Sequence, residues 1–133
     1  MDCVKIAGRI YDVIVESITE SFDITHSENA GRTISPGARM SLAPLGTFIG
    51  HEVTFRRVPG KESEYDELYT KLYQPRYNGI EIEIAHNQTT IAYEAYVSAG
   101  RRSLLRRDEK TGKTYWGEMT IKFTPMEAQV LPL

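Results

Sequence analysis

Apolar and polar residues alternate one for one along much of this chain, and that period limits what it can fold into. Ile80, Ile82 and Ile84 are separated by Glu81 and Glu83, and Met119, Ile121 and Phe123 by Thr120 and Lys122. Ile91, Tyr93, Ala95 and Val97 follow the same rule, with Glu94 and Tyr96 on the other face. Successive side chains of a strand point to opposite faces, so each run offers one face to a core and one to water. Ile18, Phe22 and Ile24, with Glu20 among them, make a further strand. His51, Val53 and Phe55 alternate with Glu52, Thr54 and Arg56 in another. Val4 and Ile6, a bend at Gly8 and Arg9, and an apolar run over 10–15 predict two short strands joined as a hairpin, or one bulged strand.

One segment breaks this period. Tyr65, Leu68, Tyr69, Leu72 and Tyr73 fall at i, i+3, i+4, i+7 and i+8, the spacing of a helix with one apolar face. Ser63 is the expected cap, with Asp66 three residues on, and Pro75 forces the end. Pro59-Gly60, Asn78-Gly79 and the stretch 86–89 carry turn chemistry. Residues from about 25 to 47 hold three glycines, two prolines and no sustained period, so a long loop is expected there. Its apolar residues Ile34, Met40, Leu42 and Leu45 suit burial against another subunit. The strands over about 91–123 form a large hairpin with a basic tip. No βαβ alternation is present, which argues against a parallel nucleotide-binding sheet. The expectation is a single domain over 1–133, α+β and mainly β, an antiparallel β-sandwich or barrel with one flanking helix.

The chain's 133 residues are enough to bury a core without staples. Lys and Arg number 16 against 18 acids, a formal charge of −2, so no global basic field favours nucleic acid. Locally the balance is uneven: residues 12–28 hold five acids and no Lys or Arg, whereas 101–113 hold six bases and two acids. The single Cys3 forms no internal disulfide and has no ligand-spaced partner, which fits a reducing compartment. The opening residues lack a basic region followed by an apolar run, so a soluble protein made in the cytoplasm, without membrane association, is expected.

Catalytic signatures are missing from the pattern. His26, His51 and His86 are 25 and 35 residues apart and stand in no nucleophile or metal motif, and no glycine-rich loop leads into Lys-Ser or Lys-Thr. The reading is therefore non-enzymatic, with no catalytic residue, no metal ligand and no cofactor. More weight falls on Arg56-Arg57, Arg101-Arg102 and Arg106-Arg107, because one member of each pair is aimed at a partner or at the protein body. The bland account is that such charges protect sheet edges from aggregation. The sharper one pairs an acidic strand on one copy with the basic hairpin of another. Contact candidates are then Arg101, Arg102, Arg106, Arg107 and Trp116 on the hairpin, and Arg32, Met40 and Leu42 on the loop. Asp12, Glu16, Glu20 and Asp23 are their candidate counterparts.

Taken in order, these parts resemble the small tail proteins of bacteriophages and prophages of Gram-positive hosts. The likeness spans nearly the whole chain. It rests on the strand pair at 4–11, the segment 16–23, Asn29-Ala30-Gly31-Arg32, Leu45-Gly46-Thr47 ahead of a strand, the helix at 65–73, and the closing strand at 115–123. The resemblance implies a tail-tube type of sandwich or barrel, long loops reaching neighbouring subunits, and no catalytic residues. It implies a virion tail subunit, made in the host cytoplasm, that forms rings, hexameric or trimeric, with copies of itself, beside neighbouring tail proteins, with DNA only as passing cargo. A head-tail joining protein of the same virion is the nearest alternative. A carbohydrate- or nucleic-acid-binding module using Tyr65, Tyr69, Tyr73, Tyr93, Tyr96 and Trp116 as stacking platforms is the more distant one.

Overall fold

The computed structural model describes residues 4–34 and 36–133. Cys3, which carries the compartment reading, and Ser35 of the long loop lie outside the described residues. Among the described residues, eight strands and one helix follow in chain order: β1 (Val4–Ile6), β2 (Val13–His26), β3 (Gly31–Arg32), β4 (Met40–Ser41), β5 (Pro44–Arg57), α1 (Glu62–Tyr73), β6 (Ile80–His86), β7 (Thr89–Arg107) and β8 (Thr114–Pro125). Every ladder is antiparallel. No described helix is long and apolar enough to cross a membrane.

The alternating residues make one six-stranded sheet, ordered β1-β6-β7-β8-β5-β2. Val53, Phe55, Ile82, Ile84, Ala95, Met119, Ile121 and Phe123 point to its inner face and are buried there. Helix α1 covers that face with Tyr65, Leu68 and Leu72, while Tyr69 is partly buried and Tyr73 turns outward. The Tyr65 hydroxyl donates to the Gly117 carbonyl at 2.8 Å and ties the helix to β8. The helix starts earlier than Ser63: Lys61 stands at the N-cap, no side chain caps it, and Glu62 and Glu64 occupy the first turn, where the helix dipole favours anions. It ends before Pro75 as expected, with Gln74 already extended.

Three expectations need correction. The sheet does not close into a barrel, because β1 and β2 stand at its two ends with no ladder between them. It is not a sandwich either, since the second sheet is only the ribbon β3-β4, two residues a side, and a helix covers the core instead. The expected N-terminal hairpin, or single bulged strand, is reduced to one antiparallel bridge between Ile6 and Arg9, and β1 and β2 do not pair with each other. A tight turn between Ile6 and Arg9 sends the chain across to the far edge, so β1 pairs with β6 and β2 with β5. The 25–47 segment is also more ordered than a loop. Strand β2 runs to His26, β5 begins at Pro44, and β3 and β4 lie between them.

An open sheet of six strands laid flat separates its edges by about 24 Å, five spacings of ~4.8 Å. Here β2, at one end, reaches β6, next to the other end, through a side-chain bond, so the sheet is strongly curled. Glu20 Oε1 on β2 accepts His86 Nδ1 of β6 at 2.5 Å and His51 Nε2 of β5 at 3.0 Å. His51 is almost fully buried, 2% exposed, and its Nδ1 lies 2.7 Å from the Tyr93 hydroxyl of β7. The roles follow from chemistry: the ionised carboxylate only accepts, so Nε2 carries the His51 proton and Nδ1 accepts from the phenol. Four strands are thus tied across the gap that no ladder closes.

Two long ribbons leave this curled body at opposite ends. At one end β5 from Pro44 to Gly50 pairs with β2 alone in its ladder, and at the other β7 and β8 continue past Met119 beyond the end of β5. The first ribbon is braced by the segment after β8. Gln129 bonds the Ile49 amide at 2.9 Å and its carbonyl at 2.7 Å, and Val130 bridges to Thr47. Gly46 makes room for that strap. At φ 152° a Cβ there would sit 2.6 Å from Ala128 Cβ, which explains the glycine in Leu45-Gly46-Thr47.

The seam fixes how stability depends on pH. The hydrogen bond from His86 leads in holding the Glu20 carboxyl below its ordinary range, and burial leads in pushing the His51 pKa down. In both cases the unfolded chain binds more protons than the folded one as the medium turns acid, so stability is present at neutral pH and lost on acidification. Thermal midpoints followed by circular dichroism are expected to fall from pH 7 to pH 4. His51→Gln is expected to lower the midpoint at pH 7 and to flatten the slope near the ordinary histidine pKa. A wild-type midpoint that rises on acidification would contradict this account.

Candidate assembly surface

Arg56-Arg57 and Arg101-Arg102 lie around the root of the β7–β8 hairpin and Arg106-Arg107 beside its tip, and the structure separates their roles. Arg102, opposite the buried Met119, points to the inner side. Its guanidinium lies 4.1 Å from the ring centroids of both Tyr69 and Trp116 and bonds Asp66 Oδ1 at 2.9 Å. It is a clamp between helix and hairpin, a place where Arg serves and Lys does not. Trp116 is partly buried in the same stack, and its carbonyl accepts Arg57 Nε at 3.1 Å. Tyr115, beside it, is surrounded by cations: Arg106 at 4.3 Å, Arg57 at 5.1 Å and Lys113 at 5.3 Å from the ring.

Helix α1 supplies the balancing acid. Glu62 lies 3.7 Å from both Arg57 and Lys113, and its carboxyl is held low chiefly by backbone hydrogen bonds at the start of the helix, with these cations adding to the effect. Between this stack and β2 runs a groove of about 620 Å³, lined by Ile14, Arg56, Arg101, Leu105, Trp116 and Glu118, among others. Ile14 and Leu105 are 45% and 63% exposed, so its walls are apolar as well as basic. Arg56 is neutralised by Glu16 at 2.6 Å and Glu118 at 3.1 Å. Among the described residues Arg101, Arg106 and Arg107 form no ion pair.

The remaining sequence candidates are placed as follows. Asp12 lies 3.7 Å from Lys61, Glu16 meets Arg56, and Glu20 sits in the histidine seam, so these acids have partners within the chain. Asp23 is exposed and accepts from the Thr25 hydroxyl at 3.4 Å, its only side-chain partner among the described residues. Arg32 donates to the Ala38 carbonyl at 3.3 Å in the small ribbon, where Met40 is half-buried and Leu42 is 66% exposed. The structure therefore gathers Arg101, Arg102 and Trp116 at one groove with Arg56 and Arg57, sets Arg106 and Arg107 beyond it, and carries Arg32, Met40, Leu42 and Asp23 on the opposite ribbon.

Sequence reasoning missed the seam. Its members stand 31 and 66 residues from Glu20; the β2–β5 register sets His51 opposite Glu20, and the curl of the sheet brings His86 of β6 to the same carboxylate. Among the described residues no group of three or more His, Cys, Asp or Glu is arranged to hold a metal ion. Compared with known families and curated proteins, the chain matches no family model and no curated protein.

The clamp yields a measurable consequence. Trp116 is the only tryptophan, so its emission reports the stack directly. Arg102→Ala is expected to red-shift that emission and to lower stability by about 1–2 kcal/mol in urea titration, the loss of a partly desolvated cation–π sandwich with its carboxylate. Arg107→Ala, which lies outside the stack, is expected to change neither. Equal behaviour of the two variants would remove Arg102 from its clamping role.

Proposed function

We propose that this protein is a non-enzymatic structural subunit of a bacteriophage or prophage tail, which assembles with copies of itself in the tail tube or a tail-tip ring. The observation that carries the reading is where the apolar surface lies. Leu104 and Leu105 are neighbours at an irregularity of β7 and are 53% and 63% exposed, so that ribbon presents apolar surface to its surroundings. The other ribbon and its tip expose Phe22 at 70%, together with Ile24, Leu42 and Leu45. Isolated exposed apolar residues need no explanation, but two projecting ribbons dressed with them suit a protein whose neighbours cover them. The resemblance of segment order to small tail proteins supplies the class of assembly, the virion as its destination and neighbouring tail proteins as further partners.

A test is light scattering coupled to size exclusion, with negative-stain imaging of the eluted species at low and high salt. The expected outcome is a species several chains in mass, seen as rings or short tubes. A strict monomer at every concentration and salt, joined by no tail protein in pull-downs from induced lysogens, would overturn the proposal.

A further inference from the structure

The outer face of β6 and β7 carries an electrostatic cost that the fold leaves in place. Glu81 and Glu94 are directly opposite in the β6–β7 register, and both are exposed. Like charges in that position repel. Glu83, two residues along β6, adds a third carboxylate on the same face. None of the three forms an ion pair among the described residues; Glu83 and Glu94 only accept hydrogen bonds, from the Thr90 hydroxyl and the Gly79 amide, both at 3.0 Å. Lys5 stands opposite Glu83 on β1 without pairing to it. Tyr96, on the same face of β7 as Glu94, is 46% exposed.

The unpaired arginines lie farther along the same strand. Arg101 and Arg107 are 7 and 13 residues beyond Glu94 on β7, a span of roughly 20 to 40 Å at ~3.3 Å per residue. A continuous strand cannot fold back on itself, so the two charge sets cannot neutralise one another within one chain. A second chain has no such restriction.

We propose that the groove at the root of the β7–β8 hairpin is the docking site for the outer β6–β7 face of a second copy of this chain. Arg101, Arg106 and Arg107 meet Glu81, Glu83 and Glu94, three cations to three anions. Tyr96 enters between Ile14 and Leu105 as the aromatic anchor that desolvates the contact. The contact made reciprocally closes a pair; made onward, it builds a ring. This inference rests on the self-assembly reading and replaces Asp12, Glu16 and Glu20, already paired within the chain, as the acceptor.

The test is a charge exchange. One variant carries Arg101→Glu and Arg107→Glu, the other Glu81→Lys and Glu94→Lys, and both are checked for native Trp116 emission and thermal midpoint. Each alone is expected to self-associate more weakly than wild type, on the order of a hundredfold at low salt, because each now opposes like charges. Mixed in equal amounts, the two are expected to regain assembly, since every acidic hairpin finds a basic face and every basic hairpin an acidic one. Should Glu94→Lys disturb the Gly79 contact, Glu81→Lys alone repeats the test, as the Glu81 side chain makes no hydrogen bond among the described residues. Wild-type-like assembly of both variants, or failure of the mixture to recover, overturns this contact while leaving self-assembly standing. A wild-type chain that never associates overturns both.

Discussion

Glu20 is where the two sides of the curled sheet meet, and the rest of the molecule depends on that meeting. Its carboxylate accepts from His86 on β6 and from His51 on β5, and His51 in turn holds the Tyr93 hydroxyl on β7. Backbone ladders do not close the gap between β1 and β2, so curvature has to be held by side chains. A buried imidazole bonded at both nitrogens suits that task, because each bond is directional and an unpaired polar group at that depth would be costly. The curl brings the inner faces of the strands around a shared interior, where Ile84, Val53 and Phe123 are fully covered. It also lets a short connection carry the chain from β1 to the far edge.

A sheet held in this way keeps its ends open, and the ribbons exploit that. In a closed barrel every strand has two ladder neighbours along its length. Here β5 over 44–50 and β7 over its last turns outlast the neighbours that would have flanked them. Each ribbon therefore needs bracing of its own. The β2–β5 ribbon is held by Gln129, whose side-chain amide bonds both backbone groups of Ile49 where the β8 ladder has stopped. The β7–β8 ribbon is held by Arg102, Tyr69, Asp66 and Trp116. Both braces act near the body, leaving the outer parts of the ribbons to present surface.

Much of the fold was legible in the period-two pattern. The strands at 51–55, 80–84, 91–97 and 119–123, the helix with Tyr65, Leu68 and Leu72 inward, and the turn at Asn87 all follow from local spacing and turn chemistry. What was not legible depends on pairings between distant segments. Val4 and Ile6 read the same whether they pair with Ile10 or with Ile84, and local pattern has no means to choose. The arginines show the other limit. Irregularities between Val97 and Ala99 and between Arg102 and Leu104 break the register of β7 with β8, and one slipped residue exchanges the two faces of a strand. Alternation alone could therefore say that Arg101 and Arg102 face opposite ways, but not which of them enters the aromatic stack.

Placing Arg102 inward also explains why the hairpin suits a contact made by its neighbours. A flexible, charged ribbon loses conformational freedom when it docks, and that loss weakens the complex. Tyr115 holds Arg106 against its ring, and Arg57 and Lys113, gathered at the same ring, are anchored to Glu62 on the helix. The cations gathered at Tyr115 are thus ordered by contacts that consume little of their hydrogen-bonding capacity, since a stacked guanidinium keeps its in-plane donors available. Arg101 and Arg107 project from a scaffold already fixed on the side facing the helix. Order established during folding need not be established again on docking, so a ribbon that looks like an exposed liability in a single chain would serve as a prepared surface in the proposed assembly.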